Sequence, residues 1–191
     1  MDWRKEFDAI RQDNIHGASF LLQRAADVIA KLQGQDRQEA LELLPTLQPY
    51  MAPFYNLARF LQNGGSIEAF FDQEMKEKKI LIQKAAKLIQ KRSILTHSFS
   101  SLVYEAVIQA KPKVLATKSA PLNEGEQMAR KLLEQGIEVE VIEDVAAPFL
   151  VQEVDIVLFG ADGIGRFGLV HKIGSLGIAL AAKLYGKELY A

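Results

Sequence analysis

The stretch ILTHSFSSLVYEAVIQAKPKVLAT, residues 94–117, decides the fold. Ile94-Leu95-Thr96-His97 is an apolar run of strand length. Leu102 to Ala110 carries its apolar residues at helical spacing, and Val114-Leu115-Ala116-Thr117 is a second apolar run. A strand, a helix and a strand in so short a space predict a β-α-β unit. The rhythm continues downstream. Glu124 to Gln135 predicts a helix closed by Gly136. Val139-Glu140-Val141-Ile142 predicts a third strand, and Val154 to Phe159 a fourth, purer in apolar residues and therefore central. Leu176 to Leu184 predicts a helix ended by Gly186, and Glu188 to Ala191 the start of a fifth strand. Strands alternating with helices give an α/β class with a parallel sheet covered on both faces. Such sheets bind ligands at the carboxyl ends of their strands. Those ends are His97-Ser98, Thr117 to Pro121, Glu143-Asp144 and Gly160-Ala161-Asp162.

Before Arg92 the texture is helical. Phe7, Ile10, Leu21, Ala25, Val28 and Leu32 form one stripe that Gly34 interrupts. A short helix from Arg37 is expected to stop at Pro45, and another runs from Phe54 to Leu61. Ser66 is a plausible N-cap for a longer helix reaching about Lys91, with Phe71, Met75, Ile82, Ala86 and Ile89 as its buried stripe. The expected organisation is a helical N-terminal domain over 1–92 and a Rossmann-like domain over 93–191.

Composition narrows the function classes. The 191 residues are 49% apolar and 25% charged, an ordinary globular balance. A formal net charge of −1 offers no electrostatic footprint for direct nucleic-acid binding. The chain has no cysteine, so disulfides, thiolate metal sites and a cysteine nucleophile are excluded. His16, His97 and His171 share no metal-ligand spacing, and no metal or cofactor is expected. No apolar run is long enough for a membrane span. The first residues lack the apolar core of a signal peptide, and a cytoplasmic setting is expected.

Three constellations bear chemistry. Gly163-x-Gly165-x-x-Gly168 matches a dinucleotide fingerprint in letters. It follows the fourth strand rather than the first, and a glycine-rich turn is the better reading. Asp162, just past a buried strand, suits a general acid or base, and Lys172 before the next helix suits a phosphate. A structural ion pair between them accounts for the same spacing. Thr96-His97-Ser98-Phe99-Ser100 can bind an anion, or it simply caps the next helix through Ser100.

In order and spacing, Ile94 to Ser100, Thr117-Lys118-Ser119-Ala120-Pro121-Leu122-Asn123-Glu124-Gly125, Gly160-Ala161-Asp162 and His171-Lys172-Ile173-Gly174-Ser175 resemble the initiation factor 2B alpha/beta/delta family. That family includes methylthioribose-1-phosphate isomerase and ribose-1,5-bisphosphate isomerase. Ile15-His16-Gly17-Ala18-Ser19 resembles its first phosphate-binding turn. The resemblance implies a helical domain joined to a Rossmann-like domain that continues past residue 191, so that the domain is expected to be truncated at its C-terminal end. It implies a homodimer or an assembly with related subunits. It also implies a phosphorylated sugar or nucleotide as ligand, with Gly17, Ala18, Gly125, Gly160, Ala161, His171 and Lys172 around it. The isomerases of the family move protons with an aspartate and a cysteine, which fall at Asp162 and Ser98. The family's arginines fall at His16, Gln48 and Ala120, so Lys118, Lys172 and a protonated His171 are left to supply positive charge. The resemblance therefore implies a protein that binds its ligand without turnover and works through protein contacts. The alternative is a divergent aldose-ketose isomerase using Asp162.

Overall fold

The computed structural model describes residues 2–166 and 168–191. The chain forms two compact units, Met1–Lys76 with Asp162–Val170, and Glu77–Ala161 with His171–Ala191.

The first unit is built on helices α1 (Trp3–Gln12), α2 (Ala18–Ile29), α3 (Gly34–Leu47) and α4 (Ala52–Gln62), with the start of α5 (Ile67–Ile89). Phe7, Ile10, Leu21, Leu22, Ile29, Leu44, Leu47, Phe54 and Leu57 fill its core. The single stripe expected from Phe7 to Leu32 is in fact two helices. Asp13 ends α1, and its carboxylate takes the amides of Ile15 and His16 at 3.0 Å each. A side chain that answers the backbone in this way favours a turn over a continued helix. Pro45 does not stop α3, which runs on to Leu47. Burial of Leu44 and Leu47 holds the last turn, and the Thr46 hydroxyl donates to the Leu43 carbonyl at 2.7 Å.

Ser66 caps α5 by accepting from Ala69 N–H at 3.1 Å, as its sequence predicts. The stripe of α5 serves two cores. Phe71 packs on the first, while Ile82, Ala86 and Ile89 pack in the second. Met75 belongs to neither and is exposed, contrary to expectation.

In the second unit β1 (Ser93–Thr96), α6 (Ser101–Ala110), β2 (Lys113–Thr117), α7 (Glu124–Glu134), β3 (Val139–Ile142), the short α8 (Ala147–Leu150) and β4 (Ile156–Leu158) follow one another. The chain then supplies β5 (Gly163–Gly165) and β6 (Gly168–Val170) to the first unit. It returns as α9 (Ser175–Leu184) and β7 (Glu188–Tyr190). Among the described residues the main sheet has five strands in the order β3-β2-β1-β4-β7, all parallel. Side chains alternate across it with period two. Ile94, Val114, Ala116, Ile156 and Leu158 face a layer made by α5, α6 and α7. Leu95, Leu115 and Val157 face α8 and α9. Burying each of these valine, leucine and isoleucine side chains contributes about 1.5–3 kcal/mol. β4 is an interior strand, as its apolar purity predicts.

The glycine-rich segment is a small antiparallel hairpin, with Gly163 opposite Val170 and Gly165 opposite Gly168. The glycines therefore do not form the strand-to-helix turn that a dinucleotide fingerprint needs. No helix of the described residues is long and apolar enough to cross a membrane.

Candidate functional site

The strand order reverses between β1 and β4, and open α/β sheets hold ligands at the carboxyl ends of strands at such a point. The residues that follow β1 and β2 meet there. His97, the first residue past β1, is almost wholly buried. Its Nε2 lies 2.7 Å from the Ile173 carbonyl and its Nδ1 lies 2.6 Å from Thr117 Oγ1. A carbonyl only accepts, so Nε2 carries a proton and donates. One direction of donation then satisfies the whole chain of groups. Thr117 donates to Nδ1, Ser119 donates to Thr117 Oγ1 at 2.9 Å, and Ser98 N–H donates to Ser119 Oγ at 2.7 Å.

Ser98 and Ser119 both adopt left-handed backbone, with φ of 69° and 63°. For residues other than glycine that conformation costs about 1–2 kcal/mol. The buried network holds it in place. Asp144 adds to the hold, accepting from the amides of Ser119 and Ala120 at 2.7 Å each. Gly125, at the start of α7, lets the helix close on β2. A Cβ there would lie 1.9 Å from the Thr117 carbonyl oxygen. Gly160 plays the same part for the loop after β4, where a Cβ would lie 2.6 Å from Ser100 Cβ. Ser100 is the N-cap of α6, the role its sequence predicts, and Ala161 follows Gly160 at the end of this unit's first segment.

In front of this buried frame stand Ser98, Glu124, Lys172 and His171. Lys172 Nζ is 2.5 Å from Glu124 Oε1, and Ser98 Oγ donates to the same oxygen at 3.2 Å. His171 Nδ1 is 2.7 Å from Ser175 Oγ, and that hydroxyl donates to the Lys172 carbonyl at 2.6 Å. Nδ1 is thus the donor, and among the described residues Nε2 is left with an open lone pair. Burial lowers the His171 pKa to about 4, Glu124 opposing and Lys172 assisting. The ring is neutral at pH 7 and stacks on Phe159 at 5.1 Å. The protonated His171 expected to add positive charge is therefore corrected. Lys118 is paired with Glu143, which raises its pKa.

The remaining candidates belong to the first unit. Asp162 opens the hairpin. Its amide donates to the Val170 carbonyl, and its carbonyl accepts from Ala52 N–H. Among the described residues its carboxylate has no hydrogen-bond partner, and burial raises its pKa. Gly17 and Ala18 begin α2, and Gly17 caps it without a side chain. The turn before them is closed on itself. His16 pairs with Asp13 at 2.8 Å, and Gln48 donates to the carbonyls of Ile10 and Asp13 at 2.8 and 3.1 Å.

The structure thus gathers Ser98, Gly125, Gly160, His171 and Lys172 in one unit, and Gly17, Ala18 and Asp162 in the other. Sequence reasoning placed His97, Thr117 and Ser119 at the ligand-binding edge without a role for each, and gave Glu124 no role. The signal of the first three was their place at the carboxyl ends of β1 and β2, where polar residues interrupt otherwise apolar runs, whereas Glu124 opens α7.

Residues 52–191 match the model of the Initiation factor 2 subunit family. A Pyrococcus horikoshii protein named translation initiation factor eIF-2B subunit 2-like is 35% identical over 195 residues, spanning 90% of this chain and 70% of that one. The ribose 1,5-bisphosphate isomerase of Archaeoglobus fulgidus is 29% identical over 204 residues, spanning 92% of this chain and 65% of that one. The crystal structure of the Pyrococcus horikoshii translation initiation factor eIF-2B superposes with a TM-score of 0.86 at 32% identity. The match covers 98% of this chain and 76% of that one.

Proposed function

The chain belongs to the Initiation factor 2 subunit family, and from that premise we propose that it binds a phosphorylated sugar or nucleotide without turning it over and acts through protein contacts. One observation carries the reading. The chain has no cysteine, and Ser98, where the family resemblance would put that of the isomerases, donates its hydroxyl to Glu124. A thiol with pKa of about 8.5 relays protons at neutral pH, and a serine hydroxyl is far less acidic. Lys172 supplies the cation for phosphate, and Ser98 and His171 Nε2 supply groups for ligand hydroxyls. Calorimetry with ribose 1,5-bisphosphate, methylthioribose 1-phosphate and AMP tests this. Binding that Lys172→Ala abolishes, with no product formed, is expected. No heat at millimolar ligand would overturn the reading.

A second reading, aldose-ketose isomerisation, has one observation in its favour. Burial raises the pKa of the Asp162 carboxyl, the direction that favours a general acid or base. Ketose formation followed by NMR checks it. Turnover that persists in Asp162→Asn would sink that mechanism.

The relative of 35% identity is named as a subunit. In keeping with that, the partners proposed here are a second copy or related subunits, in the cytoplasm, with no direct contact to nucleic acid or membrane. Sedimentation of the purified chain, alone and with candidate subunits, would show a monomer if this part is wrong.

A further inference from the structure

The ammonium proposed to hold phosphate already has a carboxylate on it. Lys172 Nζ and Glu124 Oε1 are 2.5 Å apart, and the two side chains are 14% and 19% exposed. Ser98 Oγ adds a hydrogen bond to the same Oε1. The other oxygen, Glu124 Oε2, is buried and has no hydrogen-bond partner among the described residues. An ionised carboxylate has acceptor sites on both oxygens, and a buried acceptor left unmade is penalised. A pair built only for stability would not leave one oxygen so placed.

We infer that Glu124 is an internal stand-in for the ligand's anion, and that an incoming anion exchanges with it on Lys172. This rests on the reading of Lys172 as the phosphate-holding group. The local architecture permits the exchange. Glu124 is the first residue of α7, so its side chain can turn away without disturbing the helix behind it. The amino end of a helix also favours negative charge, so a displaced carboxylate keeps a favourable neighbourhood. The surroundings also require the exchange. His171, beside the pair, is neutral at pH 7 and adds no second positive charge. One ammonium in a mostly buried setting does not hold a carboxylate and a phosphate dianion together, because the two like charges repel. Glu124 thereby sets specificity. A bare anion must displace the carboxylate with nothing to compensate, whereas a phosphorylated molecule rich in hydroxyls brings further hydrogen bonds.

Sulfate is the probe, because it remains a dianion throughout the neutral range. It is titrated into the full chain and followed by calorimetry and NMR. Glu124→Gln removes the competing charge and keeps the size. It should bind sulfate about tenfold more tightly than the natural chain, the factor of one charge-assisted hydrogen bond no longer broken. Ser98→Ala loosens the hold on Oε1 and should move affinity the same way by about twofold to threefold. Adding Lys172→Ala to Glu124→Gln should abolish the gain. Equal or weaker binding in Glu124→Gln, with Lys172→Ala still losing it, overturns the exchange and leaves Lys172 as the anion holder. No binding in any variant at tens of millimolar sulfate overturns both. If Glu124→Gln does not fold, Ser98→Ala decides by its sign, and unchanged affinity there counts against the exchange.

Discussion

The turn between α1 and α2 and the carboxyl edge of the sheet are both crowded with polar groups, yet they differ in how completely those groups satisfy one another. At the turn the accounting closes. Asp13 takes the amides of Ile15 and His16 and the His16 ring, Arg24 reaches both Asp13 and Glu6, and Gln48 covers the carbonyls that α1 leaves open. At the sheet edge the rear rank closes in the same way, through His97, Thr117 and Ser119, but the front rank does not. Among the described residues Glu124 Oε2 is unmatched, and His171 Nε2 is an open acceptor. Buried polar groups are almost always paired, so unmatched ones call for an explanation. Closed clusters are scaffold, and the open one is where a ligand has something to gain.

The strongest way to break this comparison is to disturb the closed rear rank and find no effect. Gly125→Ala puts a methyl 1.9 Å from the Thr117 carbonyl oxygen. Backbone cannot yield there as a flexible side chain would, so a loss of about 3 kcal/mol is expected by urea unfolding. Thr117→Val keeps the shape but removes the donor to His97 Nδ1 and the acceptor for Ser119. About 2 kcal/mol should be lost. A loss near zero in both would mean that the edge is loosely built. Gln48→Ala tests the turn, where about 1 kcal/mol is expected from the hydrogen bonds lost to the Ile10 and Asp13 carbonyls.

The sheet was legible because its signals are local and repeated. The runs at 94–97, 114–117 and 139–142 lie within a residue of β1, β2 and β3, and Ser66 and Ser100 cap the helices assigned to them. The hairpin was not legible. Half of its strand residues are glycine, and the strands pair through backbone rather than side-chain pattern. The break at Asp13 was hidden because the apolar stripe continues in phase across it. Of the site, Ser98, His171 and Lys172 were named from motif order. Glu124 was passed over, because a glutamate opening a helix is ordinary by sequence, and only three-dimensional placement shows one oxygen on a lysine and the other alone.

The next test sharpens the comparison through pH. His171 has its pKa lowered from 6.5 to about 4 in the folded chain. Below pH 6.5 the unfolded chain takes up a proton that the folded chain refuses. This stability is complete above that pH and falls away toward pH 4. The decline between pH 8 and pH 6 should be about 1 kcal/mol, because it is limited by titration of the unfolded ring. Thermal melts across that range should show it in the natural chain and lose it in His171→Gln, provided the other groups are unchanged. A flat profile in the natural chain would mean that the ring titrates in the fold as it does in the unfolded chain, and that the pocket does not hold it neutral.

Asp162 gives the smallest effect and the one opposite in sign. Among the described residues it is an unmatched carboxyl in the first unit, so the distinction between closed and open clusters does not follow the division into units. Burial raises its pKa above 3.8. As pH rises past 3.8 the unfolded chain releases the proton first, so this group's contribution to stability is complete below that value and is lost as pH climbs through the folded pKa. At pH 7 the natural chain therefore carries a penalty that Asp162→Asn removes. The variant should melt slightly higher at pH 7, by less than any of the losses above, and the difference should close as pH falls toward 4. A group kept for structure would show the reverse, a lower melting temperature on replacement. A gain in stability on removing Asp162 is what a residue held in place for a ligand should give.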